Sequence, residues 1–197
     1  MRQMNDKLKF TFKAWPVIAA ATIGLCFLTQ GVAKLFGIDL PDQQNIEVVR
    51  AWLTHAFDSA KNFVTCAFLL AQVLVLLPAI EEFVFRYLLF ILPVRLLIRH
   101  LSVRLQKSTI PAYAIAVSVV IPSSALFSAA HYIAQPFPDD AFIALFFFGL
   151  AQCWLYSKTD RIWCPMLNHA LFNLTNLVLL FVVPEGREAA SILTCGS

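Results

Sequence analysis

The chain has 197 residues, 59% of them hydrophobic and 14% charged, with a formal net charge of +3 and a mean hydropathy of +0.73. Soluble domains run at about 45–50% apolar and about 25% charged, so this composition excludes an ordinary soluble domain and places the chain in a lipid bilayer. Phe contributes 18 residues and Gly only 6, which favours lipid-facing helices over a Gly-rich barrel, and nucleic acid is not an expected partner.

The N-terminal tail, MRQMNDKLKFTFK, carries four basic residues and one acidic. It leads into the apolar run 15–36, after which no A-x-A-like cleavage site follows. A retained first helix with a cytoplasmic N-terminus is therefore expected, in the cell (plasma or inner) membrane. Residues 37–62 form a polar connection of net charge −2 in which Ile46, Val49, Leu53 and Ala56 recur at helical spacing. That pattern suits a short helix lying on the membrane surface.

Apolar sequence runs on from Phe63 to Ile98, interrupted by Pro78 and by Glu81, Glu82 and Arg86. As one helix it would be about 54 Å long against a hydrocarbon core of roughly 30 Å, so it must kink, tilt, leave the membrane or fold back at Pro78. Arg95, Arg99, Arg104 and Lys107 follow and should meet anionic headgroups. Further candidate spans are Ile110–Ala134, Ala141–Tyr156 and Ile162–Val183, joined by the acidic QPFPDD and the slightly basic SKTDR. The expectation is an all-α polytopic bundle of about five to six transmembrane helices around a buried polar catalytic cavity. It forms a single membrane domain over 1–197: 1–62 first helix and interfacial segment, 63–183 core, 184–197 tail. The five cysteines form no C-x-x-C pair and read as packing residues rather than disulfides or zinc ligands.

Polar residues inside the apolar runs carry the chemistry. On a helix Glu82 and Arg86 share a face and can neutralise one another, whereas Glu81 points about 100° away with no helical partner. Phe127 and His131 are four apart in SSALFSAAHYI, whose small residues permit close helix packing. His169 and Asn173 are four apart in CPMLNHALFNLTN. Each has a plain packing role open to it: a lone His or Asn as interhelical glue, Glu82–Arg86 as a structural ion pair. As a set, one unpaired carboxylate, two imidazoles and an amide on three segments could converge on one cavity. A carboxylate with a histidine can hold and deprotonate water, while a second histidine and an amide can stabilise the oxyanion formed at a carbonyl. The same Glu81, His131 and His169 could instead hold zinc. There is no H-E-x-x-H, no G-x-S-x-G and no intramembrane Asp pair.

In order, Glu81-Glu82-x-x-x-Arg86, Phe127-x-x-x-His131 and His169-x-x-x-Asn173 resemble the motifs of the CAAX protease and bacteriocin-processing (Abi) family of intramembrane endopeptidases. The flanks agree as well: a Pro before the glutamate pair and S-S-x-L-F before His131. The resemblance covers residues 63–183. It implies a hydrolase of glutamic type acting on a membrane-associated or hydrophobic peptide or protein, without a cofactor. It assigns water activation to Glu81 and His131 and the oxyanion to His169 and Asn173, with Glu82, Arg86 and Phe127 supporting. The alternatives are a proton-coupled carrier, a non-catalytic scaffold, a family member that binds peptides without cutting them, and a zinc enzyme built on the same residues. The absence of an inverted repeat counts against a carrier.

Overall fold

The computed structural model describes residues 2–38, 60–104, 112–134 and 141–182. These residues form five helices: α1 (Arg2–Leu35), α2 (60–104), α3 (Ala112–Ala134), α4 (Ala141–Thr159) and α5 (Trp163–Val182). Three stretches, Gln3–Leu35, Phe63–His100 and Phe142–Thr159, are long and apolar enough to cross a membrane, and Val117–Ile133 is a shorter apolar helix. The all-helical class stands, and among the described residues three of the expected five to six spans are met by length and composition. The interfacial helix expected within 37–62 and the tail 184–197 lie almost wholly outside the described residues.

Where α1 ends, Gly37 adopts φ +66, its N–H reaching the Lys34 carbonyl at 3.1 Å and that of Ile38 reaching Ala33 at 2.9 Å. This paired closure satisfies two orphan carbonyls and needs a left-handed residue, which glycine supplies without Cβ strain. Within the spans, hydroxyls bond back to their own helix: Thr22 to Ile18 at 2.8 Å, Thr159 to Leu155 at 2.8 Å and Thr175 to Leu171 at 2.8 Å. In lipid no water would otherwise accept those protons.

Helix α2 neither stops nor folds back at Pro78. It stays helical by opening into two π segments, Gln72–Leu76 and Phe83–Ile91. Each ends with an i→i+5 bond made by the leucine that precedes a proline: Leu77 N–H to Gln72 before Pro78, and Leu92 N–H to Tyr87 before Pro93. A proline brings no N–H and crowds the carbonyl four residues back, so widening the preceding turn lets the ring pass without ending the helix.

Helices α3 and α4 form the closest pair, and α1 covers α4 and α5. Their shared core holds Phe127, Phe148, Leu155, Cys164 and Phe172. Trp15 Nε1 donates to Thr175 Oγ1 at 3.1 Å, tying α1 to α5. Large apolar side chains such as Val17, Leu28, Phe63, Phe68 and Phe147 point outward, an arrangement suited to lipid rather than water. Cys66, Cys153 and Cys164 are free and buried, as packing residues should be. Cys26 corrects that expectation: it is disulfide-bonded, because spacing along a chain does not reveal which thiols a fold brings together.

The α3–α4 contact closes over Gly149, where an added Cβ would lie 3.0 Å from Ser124 Cβ and 3.1 Å from Ser124 Cα. Gly149→Ala sets about 1 kcal/mol of helix propensity against that clash, so leucine is the cleaner probe. Gly149→Leu should force the two helices apart and lower stability by about 1–3 kcal/mol, read as a drop in thermal midpoint in detergent. An unchanged midpoint would mean the helices are not in contact there.

Candidate active site

Helix α3 runs antiparallel to the second half of α2. Ser123 Oγ donates to the Phe85 carbonyl at 2.6 Å, the Arg86 guanidinium lies 4.6 Å from the Phe127 ring centre, and Glu81 faces His131. Helix α5 lies antiparallel on the first half: His169 meets Glu81 and Glu82, and Asn173 meets Val73. The glutamate pair sits where α2 passes from one neighbour to the other. This register brings His131, late in α3, level with the middle of α2.

The two glutamates divide as their helical phases require. Glu82 and Arg86 are fully buried, with Arg86 Nε 3.0 Å from Glu82 Oε2. The other Glu82 oxygen, Oε1, lies 3.0 Å from His169 Nδ1. Arg86 stacks its cation on Phe127, a contact worth up to about 2 kcal/mol when desolvated. Glu81 is 25% exposed, and its Oε2 lies 3.7 Å from His131 Nε2 and 3.6 Å from His169 Nε2. The exposure separates the roles: Glu82 is sealed into an ion pair, and Glu81 stays accessible.

Both imidazoles are oriented through Nδ1. That of His131 lies 3.0 Å from the Phe127 carbonyl, which can only accept, so Nδ1 carries the hydrogen. In His169, Nδ1 faces the Glu82 carboxylate and carries the hydrogen by the same logic. Each Nε2 is then left with a lone pair directed at Glu81 Oε2, an atom that is itself buried without a hydrogen-bond partner. Two acceptor nitrogens within 3.7 Å of one carboxylate oxygen repel it unless a hydrogen-bearing species sits among the three.

Among the described residues no group of three or more His, Cys, Asp or Glu side chains is arranged as metal ligands. Asn173, one turn after His169 on α5, donates Nδ2–H to the Val73 carbonyl at 3.0 Å. Two participants carried no signal in the sequence. Phe148 packs its ring 5.1 Å from that of His169 and walls the site, yet it sits in an undifferentiated Phe run. The Val73 carbonyl is backbone, and only its place five residues before Pro78 hints at it.

The family model described as type II CAAX prenyl endopeptidase Rce1-like matches residues 62–175. No curated protein and no solved structure matches the chain. The matched stretch contains all three motifs and therefore every side chain of the Glu81–His131–His169 cluster.

Proposed function

Because the chain belongs to the type II CAAX prenyl endopeptidase Rce1-like family, a family of hydrolases, we propose that it is an integral membrane endopeptidase of glutamic type. Its N-terminus lies on the cytoplasmic side, and it cuts a membrane-associated or hydrophobic peptide. The observation that carries the reading is the approach of two Nδ1-anchored imidazoles to the accessible carboxylate of Glu81.

A water placed between Glu81 Oε2 and His131 Nε2 donates one hydrogen to each lone pair. As its oxygen attacks the carbonyl carbon of the peptide, a proton passes to Glu81 and the carbonyl electrons move onto oxygen. In the protonated form of His169, Nε2–H donates to that oxyanion while Glu82 holds the ring through Nδ1. Collapse breaks the C–N bond, and Glu81 returns its proton to the leaving amine. Asn173, given the oxyanion duty by the family resemblance, donates one amide hydrogen to the Val73 carbonyl and keeps a second for the oxyanion.

The test compares membrane peptide termini from cells carrying the natural chain or Glu81→Gln. Termini dependent on Glu81 establish proteolysis, and their flanking residues define the substrate. Identical termini with both proteins folded would favour the carrier or scaffold. With a substrate in hand, the water route expects a chelator to leave the rate unchanged, whereas loss of activity restored by zinc would move the chemistry to a metal.

A further inference from the structure

The level of the bundle next to its aromatic core is polar. The Phe148 ring lies 6.1 Å from that of Phe127 and 4.6 Å from that of Phe172, centre to centre. Helices α3 and α5 run antiparallel to α4, so one turn from these rings toward the α4–α5 connection come Ser124, Gln152 and Asn168. Arg86 of α2 joins the same level. Its guanidinium lies 4.6 Å from the Phe127 ring centre, and the next turns of α2 and α4 meet where Phe90 lies 6.3 Å from Tyr156. All four polar side chains, one from each of four helices, are fully buried.

These groups outnumber the bonds they make. Arg86 meets Glu82 through Nε, but Nη1 and Nη2 have no protein partner, nor has either polar atom of the Gln152 and Asn168 amides. Ser124 Oγ lies beside the Cys153 thiol, which is only a weak partner. Buried polar groups of a native fold are paired, with protein or with ordered water. We propose that this level is a buried water site, in which ordered water held among Arg86, Ser124, Gln152 and Asn168 lets the two amides position the Arg86 guanidinium and, through it, the Glu82 carboxylate that orients His169.

The chemistry of the lining selects water. Two guanidinium NH2 groups and two amide NH2 groups bring more hydrogens than two amide oxygens and one hydroxyl can accept. The ligand must therefore accept. It must also be neutral, because Glu82 already balances Arg86 and an added anion would leave a buried charge uncompensated. Water accepts from the cation and donates to an amide oxygen, so it closes gaps that the side chains leave between them. Phe127 and Phe148 stand between this level and Glu81, so this water holds the site together and is not the one that attacks. The water site itself rests on no particular reaction; only the activity readout below rests on the endopeptidase reading.

The direct test is a structure of the natural chain in lipid, at a resolution that shows ordered water. Density is expected within about 2.7–3.2 Å of an Arg86 Nη and of Gln152 or Asn168. Direct guanidinium–amide bonds with no water between them would overturn the proposal, and so would an ion in that place. The second test sets Gln152→Leu and Asn168→Leu in two backgrounds, the natural chain and Glu82→Gln/Arg86→Met, which has no cation to hold. Each leucine should lower the thermal midpoint by about 3–6 °C in the natural background and by less than half of that in the other. Equal drops would mean that the amides do not act through Arg86. With a substrate in hand, Gln152→Leu should lower kcat per folded molecule and leave KM unchanged, since the layer touches no substrate. An unchanged kcat would overturn the positioning role, and a raised KM would place Gln152 in the substrate site instead. If no Glu81-dependent product exists, the endopeptidase reading fails, while the density and the midpoints still decide the water site.

Discussion

Glu81→Gln should remove proteolysis by about 10²–10⁴-fold, the usual contribution of a positioned general base, while leaving the thermal midpoint nearly unchanged. Glutamine keeps the volume and one acceptor oxygen but cannot take the proton that the attacking water must shed. It also brings an N–H₂ into a space bounded by two imidazole lone pairs, at the positions now 3.7 and 3.6 Å from Glu81 Oε2. Those donors fill the place of the water, so the folded site should be satisfied and inert. The measurement is product formation in membranes, normalised to folded protein. Cleavage retained within tenfold would take water activation away from Glu81. A large fall in midpoint would instead show that Glu81, like Glu82, holds the helices together.

The family and the glutamate pair were legible because their signals are local. Four-residue spacing on a helix places Glu82 beside Arg86 whatever the tertiary fold, and the 3.0 Å contact follows. The same 3.6-residue period turns Glu81 away from that pair, and it faces His131 and His169. Helix bounds were readable to within a few residues from apolar run length, as α4 and α5 show. What was not legible depends on who lies across the helix. Phe127 reads as a motif letter, but its ring seats Arg86 while its carbonyl orients His131, and no spacing rule contains both facts.

The course of α2 was the harder case. Pro78 signals a break, and length alone offers kink, tilt or reversal as ways to relieve it. The helix does not fold back, because widening to i→i+5 bonds keeps it helical through Pro78 and Pro93. Both π segments end at a Leu-Pro step, so a sequence mark was present. Asn173, one hundred residues away, meets a carbonyl left without a helical donor, that of Val73. Membrane helices tolerate broken backbone only where a neighbour supplies the lost bond, and the neighbour here is the helix that carries His169.

Arg86→Met should be the most destabilising single change in the chain, by about 3–5 kcal/mol, because it strands the Glu82 carboxylate at 0% exposure with its cation removed. The loss should appear as a fall in folded yield and a lowered midpoint, along with lost activity as His169 is drawn toward Glu82. Pairing the change with Glu82→Gln separates charge from packing. The double variant buries no ion, and replacing a buried ion pair by neutral groups of similar volume is often neutral or stabilising, so its midpoint should return close to that of the natural chain. Glutamine at 82 can still accept from His169 Nδ1, now 3.0 Å from Glu82 Oε1, and so keep that ring oriented. It lacks the negative charge that faces the His169 ring, however, so product formation should stay low although the fold is restored. A double variant as unstable as Arg86→Met alone would place the cost in lost packing on Phe127. One that is both stable and active would show that the buried charge at Glu82 contributes nothing to the reaction.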